Sequence, residues 1–336
     1  MDQGASPRGW FSRQAFILSN RLWRLAAGTV VSMGLLWLAG RGVSWAEVAV
    51  ALGSARWNLI AFAVVCVLLG TAVRAWCWRS LLVNPPVPVT LVQAWQIVVI
   101  GQFLNICVPS RAGDVARVWL MGEATGMSKT SVTTSLVLEK FFDATTFLFL
   151  LGAVSLLFEL PATFLGVRRG VAAAATLLLF VVVALAWRGT GLVQFLERQA
   201  HGADGWVARL TRHMETVVES LRVLRRWHRL FLMQAGYLGV WCALAGVNYA
   251  VLRALEIGAP ITAAFFVLIV LQFGTSVPST PGKIGVFQYL VVLALAPFGI
   301  EGEPALTYGV LLHVVGFGPV VVLGGLWSWI GLADRR

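Results

Sequence analysis

Long apolar runs separated by short polar stretches fill this chain, and their lengths predict membrane helices. Runs over residues 22–40, 58–83, 131–158, 171–187, 231–255 and 305–330 fit the about 17–25 residues that cross a bilayer. Two further runs, 91–121 and 261–299, are apolar at both ends and broken in the middle. The first break reads Gln102-Phe103, Pro109-Ser110, Gly113-Asp114-Val115. The second reads Gln272-Phe273, Pro278-Ser279, Gly282-Lys283-Ile284, and one residue of gap brings the two into register. Pro, Gly and a charge stand where a continuous helix would carry Leu or Ile. Paired broken segments in corresponding halves point to a transporter's binding site. The pattern predicts an all-α polytopic membrane protein with about six full spans and two re-entrant, broken-helix hairpins.

Basic residues orient this arrangement. With both termini inside, 18 Lys and Arg fall on the cytoplasmic side, against Arg41, Arg56, Arg168, Arg169 and Arg253 outside. That is a positive-inside bias. The two broken segments then enter from opposite faces, so the chain reads as an inverted-topology repeat. Residues 1–21 form a cytoplasmic, uncleaved lead-in. Residues 22–330 form one transmembrane domain, with repeat 1 at about 58–158 and repeat 2 at about 231–330. Between them, residues 189–229 carry Trp206, Leu210, Met214, Val217, Leu221 and Leu224 at helical spacing, opposite Arg209, Arg212, Glu215, Glu219, Arg222 and Arg226. This predicts an amphipathic cytoplasmic connector with a basic face.

Composition narrows the function classes. Apolar residues make up 58% of the 336 and charged residues 12%, with a mean hydropathy of +0.81, more apolar surface than one soluble core can absorb. The net charge of +11 is therefore assigned to cytoplasmic loops and anionic lipid headgroups, not to nucleic acid. Cys66, Cys77, Cys107 and Cys242 lie in apolar segments without paired spacing and read as small buried hydrophobes. Many of the 15 tryptophans sit near span ends, as an interfacial belt requires. No P-loop, His-Glu-x-x-His or Gly-x-Ser-x-Gly occurs. The expectation is a protein with no cofactor, no metal site and no catalytic motif.

The breaks carry the candidate chemistry. A helix restarting after Pro109-Ser110 would present free backbone N–H groups and the positive end of its dipole. Arg111 can grip a phosphate through its fork, and small Ser110, Ala112 and Gly113 let a headgroup approach. Asp114 is placed to cap that helix or orient Arg111, with Arg117 one turn on. In the second copy Pro281 suits the first turn of a restarting helix. Lys283 stands among apolar residues, which calls for a partner or a wet cavity. The expected headgroup site thus comprises Gln102, Ser110, Arg111, Gly113, Asp114, Arg117, Ser279, Thr280, Gly282 and Lys283. Glu139 and Asp143, four apart, share a helix face with Lys140 between them. They are read as partners of Arg111 or Lys283, as proton exchangers, or as a static ion-pair network. Arg74 and Arg79 are expected to snorkel from the end of their span, and His313 to serve packing and hydrogen bonding.

These motifs resemble the family named for the transmembrane region of lysylphosphatidylglycerol synthases, also described as flippase-like membrane proteins. The residues that carry it are Asn105, Pro109 to Asp114 with Arg117, Glu139-Lys140 with Asp143, and Pro278-Ser279 with Pro281 to Gly285. The likeness runs from about residue 22 to 330 and adds Asn105 to the expected site. It implies a bacterial inner-membrane protein that moves lipids between leaflets. Cargoes associated with relatives include phospholipids, polyprenyl-linked sugars and hopanoids. No soluble aminoacyl-transfer domain follows by Arg336, so aminoacylation is not implied. Gln288 stands where many relatives carry Glu, which counts against proton coupling there, and Lys140 stands where Arg is frequent. The leading expectation is a flippase for an anionic, phosphate-bearing lipid. Its rivals are a headgroup-modifying transferase and a noncatalytic partner of a glycosyltransferase or lipid-synthesising enzyme.

Overall fold

The computed structural model describes residues 33–34, 36–39, 44–108, 111–157, 227–274 and 281–333. The predicted spans at 22–40 and 171–187 lie wholly or mostly outside these residues, as does the connector 189–229 up to residue 226. Among the described residues the regular elements are all helical. They are α1 (Trp45–Gly53), α2 (Trp57–Ser80), α3 (Leu91–Cys107), α4 (Ala112–Thr125), α5 (Lys129–Leu157), α6 (Trp227–Ala254), α7 (Ile261–Gly274), α8 (Val286–Leu295) and α9 (Gly302–Ala333). Short 3-10 turns at Pro281–Lys283 and Ala296–Phe298 flank α8.

Among the described residues, three segments are long and apolar enough to cross a membrane: Trp57–Ser80, His228–Ala254 and Gly302–Ile330. They fall in α2, α6 and α9. At 1.5 Å per residue, α3 reaches about 25 Å, α4 and α7 about 21 Å, and α8 about 15 Å. Each falls short of the about 30 Å hydrocarbon core. Both broken runs are therefore divided into short helices, with the interruption where Pro and Gly fall in the sequence.

Local chemistry sets the ends of these pieces. Thr90 and Gln93 cap α3 reciprocally: Gln93 N–H donates to Thr90 Oγ1 at 3.2 Å, and Thr90 N–H donates to Gln93 Oε1 at 3.0 Å. That satisfies two donors which would otherwise be orphaned at a helix start. Gly126 closes α4 with φ 70°, its N–H reaching Gly122 O, a left-handed cap that glycine adopts without strain. Pro281 does not open α8 as expected. It begins the separate 3-10 turn, and α8 starts at Val286 after Gly285 (φ 87°). Two left-handed glycines, Gly282 and Gly285, interpose a bend that delays the helix.

Packing follows an order that recurs. In the first half α2 packs on α3 and α5, α3 on α4, and α4 on α5. In the second half α6 packs on α7 and α9, α7 on α8, and α8 on α9. Between the halves α2 lies along α6, while α9 meets α2 and α3, and α5 meets α6 and α7. Exchanging the halves maps this set of pairings onto itself, with the α2–α6 seam as its own counterpart. The α2–α6 seam is lined by small residues: a Cβ on Gly70 would touch Ala243, and one on Gly236 would collide with Cys77 Sγ. Close approach of this kind drives helix association where lipid is as apolar as the side chains. The largest buried cluster joins Ala63 and Val67 of α2 with Val247, Ala250, Val251, Ala263, Val267, Val291 and Leu312 of the second half.

Candidate functional site

At the first break the chain turns back on itself through a glycine crossing. A Cβ on Gly113 would strike the Gly101 backbone, and one on Gly101 would run into the Arg117 side chain. This contact brings the end of α3 against the start of α4. Asn105 then ties the two together, its Oδ1 accepting from Gly113 N–H at 2.8 Å and its Nδ2 donating to Asp114 Oδ1 at 3.2 Å. Asp114 N–H donates to Arg111 O at 3.0 Å. The expected free N–H groups at Gly113 and Asp114 are thus already used. The cap comes from Asn105, not from Asp114, because the glycine contact places that amide directly over the new helix end.

Behind this crossing lies a buried ion-pair network. Arg117 is 2% exposed and Glu139 0%. Arg117 Nη1 donates to Glu139 Oε1 at 3.0 Å, and Nη2 pairs with Oε2. The Arg117 guanidinium sits 4.1 Å from the centre of the Trp78 ring. Arg74 grips Asp143 with both Nη atoms at 3.2 and 3.0 Å and lies 3.5 Å from Glu139 Oε1. Trp241 Nε1 donates to Asp143 Oδ1 at 3.0 Å. Lys140 Nζ stands 3.7 Å from Asp114 and 3.9 Å from Glu139. Arg74, Arg117 and Lys140 balance Asp114, Glu139 and Asp143, so the cluster is neutral as a whole. The fully buried Glu139 has the buried Arg117 and the nearly buried Arg74 as partners, as a buried charge needs, while Lys140 closes the network at its exposed edge.

Two expectations change here. Glu139 and Asp143 pair with Arg117 and Arg74, not with Arg111 or Lys283. Arg74 does not snorkel: its side chain is 13% exposed and turns inward, because the small-residue seam of α2 faces α6 at that height. Arg117 belongs to this network and does not line the cavity described next.

That cavity, of about 290 Å³, opens between α2, α3, α6, α9 and the Pro281–Lys283 turn, where the two halves meet. Thr71 and Arg74, Gln102 and Asn105, and Lys283 supply its polar wall, with Val240, Leu244 and Phe317 among the apolar residues opposite. Of the expected site, Gln102, Asn105, Gly282 and Lys283 line it. Ser110, Ser279 and Thr280 lie outside the described residues. Arg111 is exposed and close enough to Lys283 for their charges to repel. The Pro281–Lys283 turn packs on α3, which carries the chain toward Arg111. Both cations share one unusual backbone state, φ 55° at Arg111 and 56° at Lys283. Non-glycine residues in the left-handed region concentrate at functional sites. Among the described residues, no carboxylate lies within 4.0 Å of either.

On the second side Gln288 supports the turn. Its Oε1 accepts from Gly285 N–H at 2.8 Å, and its Nε2 lies 3.0 Å from His313 Nδ1. Phe287 and Phe317 pack on the His313 ring, so His313 serves packing and hydrogen bonding as its isolation in the sequence implied. Sequence reasoning missed Thr71 and Arg74 as cavity residues. The available signal was an Arg standing six residues inside a span, three after a Thr. A second depression of about 390 Å³ between α1 and the start of α9 holds Glu47 and Glu303 and no cation, and it lies away from both breaks.

The short paired helices, the long apolar spans and the polar cavity between halves define a polytopic helical membrane protein. A family model described as the lysylphosphatidylglycerol synthase transmembrane region matches residues 25–324, and the chain belongs to that family. It is thereby a membrane protein of the lipid-modifying and flippase-like type. Comparison with curated proteins and with solved structures found no match.

Proposed function

We propose that this protein is a lipid translocase of the bacterial inner membrane that binds a phosphate-bearing headgroup in the cavity between its halves. One observation carries the reading: Lys283 of the second break borders a polar cavity that Gln102 and Asn105 of the first broken run also line, Arg111 lies near enough for its charge to act on Lys283, and no described carboxylate lies within 4.0 Å of either cation. Two neighbouring cations repel until an anion lies near both, so the empty site favours a negative headgroup and disfavours a cationic one. Gln102 and Asn105 add hydrogen-bonding capacity. Lipid tails remain in the bilayer throughout.

The recurring packing order supports two structural repeats, and the basic-residue bias supports their opposite orientation with both termini cytoplasmic. The short α3–α4 and α7–α8 pairs are then re-entrant hairpins that meet near the midplane, and the halves rock about the site between them. The site binds and releases cargo without covalent change. Without a P-loop, transport runs downhill, is ion-coupled, or depends on a second protein such as a lipid-synthesising enzyme.

The test is leaflet transfer of labelled phosphatidylglycerol in liposomes holding only this protein. Arg111→Ala and Lys283→Ala should each slow transfer about tenfold or more, the value of one charge-assisted contact, while the protein still folds. Wild-type transfer by the double variant would falsify the headgroup role.

A further inference from the structure

We propose that Arg74 is a shared ligand: it holds Asp143 while the cavity is empty and turns to the anionic headgroup when the cavity fills. This rests on the headgroup reading above and names the residue that reports occupancy to the rest of the bundle. Arg74 alone among the charged residues of the buried network also forms part of the cavity wall. Asp114, Arg117, Glu139, Lys140 and Asp143 do not line the cavity. An entering phosphate therefore meets a guanidinium already engaged, and competes with a carboxylate for it.

The competition is feasible because each carboxylate keeps another donor when Arg74 leaves. Glu139 retains Arg117 and Lys140. Asp143 retains the Trp241 indole N–H at 3.0 Å. A further donor stands ready: the Tyr237 hydroxyl is buried and finds no hydrogen-bond partner among the described residues. The Arg74 guanidinium lies 5.8 Å from the centre of the Tyr237 ring, and the hydroxyl is near enough to Glu139 and Asp143 to feel their charges. A buried hydroxyl with no partner is costly, so the fold maintains an acceptor-seeking group beside the carboxylates. Tyr237 and Trp241 are four apart on α6 and share a face. Movement of Arg74 thus leaves Asp143 of α5 without its α2 partner and held by α6, through Trp241 and the Tyr237 hydroxyl. The headgroup gains a third cation, and the α2–α6 contact changes with occupancy.

The experiment compares wild type, Lys283→Ala, Arg74→Lys and Tyr237→Phe in nanodiscs of phosphatidylcholine with or without phosphatidylglycerol, read by thermal unfolding and by leaflet transfer in matching liposomes. Arg74→Lys keeps the charge and loses the fork, and should weaken phosphatidylglycerol-dependent stabilisation and transfer about tenfold. Tyr237→Phe should leave unfolding in pure phosphatidylcholine unchanged or raised, yet slow phosphatidylglycerol transfer about two- to tenfold, as one neutral hydrogen bond made only in the filled state allows. If wild type and Lys283→Ala behave as the headgroup site requires but Tyr237→Phe transfers normally, Arg74 is a static brace and the shared-ligand proposal is overturned. If wild type neither binds nor moves phosphatidylglycerol selectively, the headgroup reading falls and this proposal falls with it.

Discussion

The two breaks align residue for residue from Pro109 and Pro278, yet they are built in opposite ways. The first is closed: Gly113 is pressed on Gly101, its N–H is taken by Asn105, and Asp114 is held by Asn105 and Lys140. The second is open: Lys283 occupies the position of Asp114, borders a cavity, and has no described carboxylate within reach. Lys stands in the second copy where the first has Asp, and the surroundings of the two turns differ accordingly. A carboxylate beside Asn105 and Lys140 completes a network, whereas the ammonium at the cavity wall is the group to which the proposed function assigns an anion.

Disrupting the closed side should cost most. Glu139→Ala leaves Arg117 buried without its partner, an expected loss of about 3–5 kcal/mol, seen as a marked drop in thermal unfolding temperature in detergent. Replacing the pair together, Arg117→Met with Glu139→Leu, should recover most of that loss, since a matched apolar pair carries no stranded charge. Gly113→Ala sets a methyl against the Gly101 backbone, which has no side chain to move aside. An overpacking cost toward the upper end of about 1–3 kcal/mol follows, read by the same unfolding measurement.

On the open side the effects shrink. Gln288→Ala removes the acceptor for Gly285 N–H and the contact to His313, with an expected cost of about 1 kcal/mol. Lys283→Ala should change stability by no more than about 0.5 kcal/mol, because nothing described depends on its charge. A loss at Lys283 as large as that at Glu139 would erase the distinction between the two breaks, since it would show that Lys283 also sits in a structural pair.

Much of this was legible in the chain. The apolar run lengths predicted α2, α5, α6 and α9 to within a few residues, and the Pro-Gly phrases predicted where the intervening runs divide. Arg111 and Lys283 were legible as a pair because the phrase repeats. Of the two, Lys283 lines the cavity between the halves, whereas Arg111 is exposed and stands outside its lining. The partners of Glu139 and Asp143 were not legible. Helical spacing places two carboxylates on one face, but it cannot say which of several cations on other helices that face will meet. Arg74 shows the same limit: near a span end, sequence favours escape to the interface, and only the packing of α2 against α5 and α6 turns it inward.

The sequence by itself therefore determined the elements, their breaks and the chemistry available at each, because hydrophobic length and backbone punctuation act locally. Tertiary structure alone decided which charges neutralise one another and which remain free, because Coulomb interaction and desolvation depend on distances between helices that no periodicity encodes.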